Sequence, residues 1–229
     1  MQADIELLTA QHNKKLRQVR RRQGKVIKTA RAEGFMDGVC SALRPGDTVI
    51  DLGANVGDVS ARLLATGASV IAFDPEPWAV EKLRTRFADE AHFTLHNAAV
   101  GVTSGTARLN RASDFGDGSV GASVKSTLLD GGRGMSEDSS VEVEVINFVQ
   151  FLTDLLDQGA DIRLIKMDVE GAELDLLEAM DDAGLIPKIH CIVVETHENK
   201  FKEMRPRYRK LRERMGAKYA KNHVMLDWI

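Results

Sequence analysis

The chain has 229 residues, 43% hydrophobic and 28% charged, with a formal net charge of −3. That length holds one large α/β domain with a full core, and the composition is that of an ordinary soluble protein. No apolar run reaches the roughly 18 residues a membrane span needs, and the polar, then basic N-terminus does not read as a secretory signal.

The charge is unevenly distributed. Residues 1–33 carry nine Lys and Arg against three acids, residues 198–229 carry ten against four, and the stretch between carries 12 against 27. Basic ends on an acidic body can attract an anionic substrate, nucleic acid or a membrane surface, or can be solvated helix faces. Cys40 and Cys191 form neither a metal spacing nor a redox pair, and they read as small buried hydrophobes in a reducing compartment, so a cytoplasmic location is expected.

In chain order, residues 11–31 hold nine basic residues and no acid around a weak apolar stripe of Leu16, Val19 and Ile27. This predicts a basic helical arm over residues 1–33, broken at Gly34, followed by a short helix through Met36, Val39 and Leu43. The turn Arg44-Pro45-Gly46-Asp47 opens a main domain over 34–229. Strands are predicted at Thr48-Val49-Ile50-Asp51-Leu52, Ser69-Val70-Ile71-Ala72-Phe73 and Phe93-Thr94-Leu95, with helices between them. Residues 101–146, rich in Gly, Ser and Asp, read as an insertion of small strands and loops. Its run Phe115-Gly116-Asp117-Gly118-Ser119-Val120-Gly121 is a candidate cover for an acceptor. An amphipathic helix through Phe148, Leu152 and Leu155 follows, then strands at 162–167 and 192–194, a basic helix, and a terminal strand at 224–226. Alternating strands and helices imply a mostly parallel sheet with helices on both faces, and ligands bind such sheets outside the C-terminal strand ends.

The notable motifs all fall at such ends. Asp51-Leu52-Gly53-Ala54-Asn55-Val56-Gly57 leaves a buried strand and opens a helix. Its glycines allow a tight turn and close ligand approach, and the helix N–H groups favour a carboxylate or phosphate. The spacing departs from the G-x-G-x-x-G of a dinucleotide clasp, which disfavours a nicotinamide dehydrogenase. Asp74, before Pro75, ends the second strand, where a carboxylate can accept ribose hydroxyls or cap a helix. Asn97 and Ala98 follow the third strand and could meet an adenine edge. Asp168 follows the fourth strand, and Glu170 and Glu173 could instead be first-turn charges on the next helix. After the fifth strand, Glu195 and His197 alternate toward one rim, where a histidine can act as a general base. With Asp168 these two could otherwise hold a divalent metal.

The runs Val49-Ile50-Asp51-Leu52-Gly53-Ala54-Asn55-Val56-Gly57, Ala72-Phe73-Asp74-Pro75, Asn97-Ala98-Ala99-Val100-Gly101 and Ile165-Lys166-Met167-Asp168-Val169-Glu170-Gly171-Ala172-Glu173 resemble the FkbM-like methyltransferases. The resemblance covers about residues 43–200. It implies a Rossmann-like, class I methyltransferase fold with a seven-stranded sheet. It also implies methyl transfer from S-adenosylmethionine, usually to a hydroxyl of a sugar, glycan or other small natural product. By the same resemblance Asp51, Gly53, Asn55 and Gly57 would lie by the methionine moiety, with Ala54 in the same turn. Asp74 and Pro75 would lie by the ribose, Asn97 and Ala98 by the adenine, and Asp168 beside the reacting methyl. His197 or Asp168 is then expected to take the acceptor's proton, with Glu195 orienting. A nucleic-acid acceptor gripped by the basic ends, and a cofactor-binding module without turnover, are the alternatives. The acceptor, the need for a metal and the oligomeric state are not legible in the sequence.

Overall fold

The structure is a computed structural model that describes residues 2–112, 135–198 and 200–228, with only the backbone path given for residues 2–8, 10, 112 and 135–139. The Gly-rich run at 115–121 lies outside the described residues. The chain opens with α1 (Gln2–Ala42), β1 (Thr48–Leu52), α2 (Asp58–Leu64), β2 (Ser69–Phe73), α3 (Pro77–Arg86) and β3 (Phe93–His96). Then come β4 (Ala99–Gly101), β5 (Gly105–Ala112), β6 (Met135–Asn147), α4 (Phe148–Asp157) and β7 (Ile162–Met167). The last elements are α5 (Glu173–Asp182), β8 (Ile192–Glu195), α6 (Arg205–Lys218) and β9 (Val224–Trp228).

Six strands form the central sheet in the order β3-β2-β1-β7-β8-β9, and every neighbouring pair is parallel. This is the doubly wound, Rossmann-like α/β architecture of class I methyltransferases, with six strands among the described residues where the resemblance implies seven. The chain moves outward from β1 through β3, then returns to β7 on the other side of β1. That reversal opens a crevice beyond the C-terminal ends of β1 and β7, the usual ligand position in such sheets. Alternate strand residues feed two cores. Ile50, Leu52, Ile165 and Met167 pack with Phe148 and Leu152 of α4, Leu174 and Leu177 of α5, and Tyr208 and Leu211 of α6. Val49, Leu164 and Val193 pack on the other face with Leu63 of α2, Leu83 of α3 and Met36 of α1. Strands buried on both faces explain the near-continuous apolar runs in the sequence.

A smaller sheet, β4-β6-β5, occupies the region read as an insertion. β5 and β6 are antiparallel, while the short β4 runs parallel to β6. α1 differs from expectation. It runs unbroken through Gly34, because glycine inside a helix costs only about 1 kcal/mol and the turns around it are docked by buried Ala32 and Met36. No helix among the described residues is long and apolar enough to cross a membrane.

Candidate active site

The floor of the crevice is a charge pair set by sheet register. Asp51 on β1 lies directly beside Lys166 on β7, and the two side chains share a face. Asp51 is fully buried and accepts a hydrogen bond from Ser60 Oγ at 2.6 Å. Lys166 Nζ lies 3.2 Å from Asp51 Oδ1 and donates to the carbonyls of Leu52 (3.2 Å) and Gly53 (2.7 Å). It also faces Asp168 Oδ2 at 3.8 Å. Burial alone would lower the lysine's pKa, but the charges of Asp51 and Asp168 outweigh it and raise the value. Sequence reasoning missed Lys166, although a lysine within Ile162–Met167 cannot enter a buried strand without anionic or carbonyl partners.

The turn after β1 is shaped mainly by the protein itself. Gly53 has φ +75°, and a Cβ there would fall 1.9 Å from the Asp168 carbonyl oxygen. The glycine is therefore required by the approach of the β7 loop, and the N–H of Asp168 in turn donates to Leu52 O at 3.0 Å. At Gly57, φ is +85° and a Cβ would meet Phe87 Cε2 at 2.5 Å, so α2 can start only where that residue lacks a side chain. Ala54 is buried, and Asn55 holds the left-handed region at φ +50°.

Asp74 joins the first two strand tips. Its Oδ2 accepts the N–H of Asn55 at 2.7 Å and its Oδ1 accepts the N–H of Glu76 at 2.9 Å. Burial pushes this carboxyl up to about 6 against the lowering effect of those two amides. Pro75 is half-buried beside it, while Asn97 at the β3 tip is exposed and Ala98 is buried. Glu76, which the sequence did not flag, caps α3 at Trp78 N and accepts both Nε and Nη2 of Arg111 from β5. This partly buried pair ties the small sheet to the β2 tip. His96 stacks on Phe73 with ring centroids 4.5 Å apart and serves packing.

The tips of β7 and β8 carry the remaining polar groups. Glu173, in the first turn of α5, is fully buried. Its Oε1 accepts His197 Nδ1 (3.1 Å), the His197 main-chain N–H (2.9 Å) and the Tyr208 hydroxyl. Its Oε2 accepts the N–H of Gly171 at 2.7 Å. Burial favours the neutral acid, but these donors prevail and hold the Glu173 carboxyl below its usual value. On the far side of the ring, His197 Nε2 lies 3.3 Å from Glu170 and 3.7 Å from Asp168. Burial would depress the imidazole, yet the bonds to Glu170 and Glu173 push it up to about 10. Glu170 itself sits at φ +52° and pairs with Lys200 Nζ at 2.8 Å. Glu195 is half-buried, and burial with the nearby Asp168 charge raises it to about 7. Asp168 is likewise raised by burial, against the attraction of Lys166 and His197.

Asp168, Glu170 and His197 offer ligand atoms within 4.8 Å of one another. Glu195, expected in such a set, is not part of that group, and Glu170 takes its place because the left-handed turn brings it under the ring. Asp168, Glu195 and His197 thus gather at the β7 and β8 tips, Asn55 and Asp74 at the β1 and β2 tips, and Gly53 abuts the Asp168 backbone between them.

A cofactor with a nucleoside, a carboxylate and a cationic centre suits this arrangement. The buried Asn55 Oδ1 makes no hydrogen bond. The Asp74 carboxylate ends β2 beside the buried Asp51, and Asp168 lines the same crevice. The fold and the site define a class I S-adenosylmethionine-dependent methyltransferase. Residues 51–222 match the family described as the methyltransferase FkbM domain, and the chain belongs to that family. It is 30% identical over 177 residues to the 31-O-demethyl-FK506 methyltransferase FkbM of Streptomyces tacrolimicus, covering 68% of this chain and 67% of that one. It is 26% identical over 154 residues to the hexuronic acid methyltransferase AglP of Haloferax volcanii, covering 66% of this chain but 56% of the relative's length.

Proposed function

We propose that this protein methylates a hydroxyl oxygen on a sugar, glycan or other small natural product, with Glu195 and Asp168 handling the acceptor's proton. The observation that carries this reading is the pair of half-buried carboxyls at adjacent strand tips, both raised by burial, with Glu195 near 7. A hydroxyl must lose its proton as it attacks, and a base with a pKa near the working pH is the effective one. Bound S-adenosylmethionine supplies an electrophilic methyl on its sulfonium. The chain's residues hold the acceptor oxygen in line with it and exclude water, and alignment of this kind accounts for much of such a rate.

The roles expected from the sequence are exchanged in this reading. His197, protonated at neutral pH between Glu170 and Glu173, cannot take a proton, so it serves as a fixed cation that orients Asp168. Names of relatives support the acceptor class: one acts at a 31-O position and the other on a hexuronic acid. A cytoplasmic location accords with this reading. Incubation with radiolabelled S-adenosylmethionine and fractionated extract tests it. Label is expected in carbohydrate or small-molecule fractions and in base-stable ether form. Label entering RNA, DNA or protein alone overturns it, and binding without any transfer identifies a non-catalytic module.

A metal-assisted variant rests on the Asp168, Glu170 and His197 group, whose carboxylate and imidazole donors suit a hard divalent ion. In that variant, Glu173 fixes the ring through Nδ1, as carboxylates behind ligating histidines do. Chelator treatment that leaves turnover unchanged removes this variant.

A further inference from the structure

The sequence shows two basic ends, and the structure separates them. Four of the seven cations of α6 are paired with acids within the fold. Arg207 pairs with Asp175 and Glu178, Arg214 and Lys218 pair with Asp181, and Arg212 pairs with Asp227. By contrast, none of the nine Lys and Arg between residues 11 and 31 makes an ion pair among the described residues, and side chains 11–28 are all exposed.

At 3.6 residues per turn, Leu16, Val19, Val26, Ile27 and Ala30 fall within a sector of about 100°, and the nine cations occupy the remainder. Leu16, Val19, Val26 and Ile27 are 41%, 50%, 62% and 52% exposed. Outside α1, the described residues hold one exposed large hydrophobic, Val102. The helix docks on the domain through Ala32 and Met36, flanked by Phe35, Val39 and Cys40. By the same helical period, those positions lie on the side opposite the apolar stripe. The stripe therefore faces away from the catalytic body.

An occupant must offer apolar depth and negative charge together. A nucleic acid offers phosphates but nothing for the stripe. A second arm offers an apolar stripe but repeats the nine positive charges. The acidic body of a second copy offers charge but no apolar patch among its described residues. A bilayer bearing anionic lipid offers both, since a basic amphipathic helix lies in the headgroup plane with its apolar face inserted. We propose that α1 is a peripheral membrane arm that lays the Leu16–Ile27 stripe on an anionic phospholipid surface, with the methyltransferase body held above it. This rests on the arm alone and is independent of the acceptor reading.

Co-sedimentation of the full chain with phosphatidylcholine vesicles, with and without 30% phosphatidylglycerol, is the test. The result expected is binding to the anionic vesicles, little to the neutral ones, and steep weakening with salt. Replacing Leu16, Val19, Val26 and Ile27 together by Ser, or Arg20, Arg21 and Arg22 together by Ser, is expected to weaken binding at least tenfold. All are exposed side chains, so far-UV circular dichroism and cofactor binding should be unchanged. Failure to bind anionic vesicles overturns the proposal. So does RNA binding that exceeds vesicle binding and is insensitive to the quadruple Ser variant, or a dimer in sedimentation that the same variant dissociates.

Discussion

The buried carboxylate of Glu173 holds His197 by two points at once, the ring Nδ1 at 3.1 Å and the main-chain N–H at 2.9 Å. This fixes both the β8 loop and the imidazole it carries. The ring is thereby placed between Glu173 and Glu170 as a cation, with its pKa pushed up to about 10. The folded value lies above the unfolded value of about 6.5. The folded state thus binds the extra proton between those limits, and stability falls with rising pH across that window. The contribution is complete below about pH 6.5 and gone above about pH 10. Urea unfolding from pH 6 to 10 should show this slope, and His197→Asn should remove that part of it. An identical slope in the variant would contradict the imidazolium assignment.

Glu195, raised to about 7 by burial and the Asp168 charge, sets a different pH dependence. A proton acceptor works when ionised, so kcat/KM should climb as pH rises through about 7 and then level. Glu195→Gln should lower kcat by about 10²-fold or more, the usual worth of a general base, and flatten the acidic limb. Cofactor affinity should change little. A variant that keeps the wild-type profile would move the base elsewhere, to Asp168.

Lys166 is a structural cation beneath the site. Its Nζ serves Asp51 and two carbonyls in a fully buried position. Lys166→Met leaves Asp51 as an uncompensated buried charge, which costs about 3–5 kcal/mol. Chemical denaturation measures that loss. A double variant, Lys166→Met with Asp51→Leu, should recover a substantial part of it, because replacing both partners of a buried pair is far less costly than removing one.

Gly53 answers to backbone approach. A Cβ would fall 1.9 Å from the Asp168 carbonyl at a residue with φ +75°. Gly53→Ala should destabilise by about 1–3 kcal/mol through the left-handed conformation alone, and should also displace Asp168. Thermal unfolding and S-adenosylmethionine titration should therefore fall together. A Gly53→Ala variant of unchanged stability and normal affinity would show that the β1 and β7 loops can part at no cost.

Much of this arrangement was legible along the chain. The apolar period and the turn residues located each strand of the central sheet. Turn chemistry and strand ends located Gly53, Asp74, Asn97, Asp168 and His197 at the rim, because those features depend on neighbours only a few positions away. The Glu173 clasp was not legible, since its partners His197 and Tyr208 lie 24 and 35 positions away. Nor was the Lys166 floor, whose carbonyl partners are 113 and 114 positions distant. The helix through Gly34 also misled the local reading, because docking of Ala32 and Met36 outweighs the glycine's weak helical preference.

The amino-acid order by itself therefore determined the family, the doubly wound sheet and the strand tips that carry polar groups. Three-dimensional packing alone decided the protonation states there and which basic end paired part of its charge within the fold. Protonation depends on burial and on charges brought within a few ångströms. Those quantities exist only after distant segments have folded against one another.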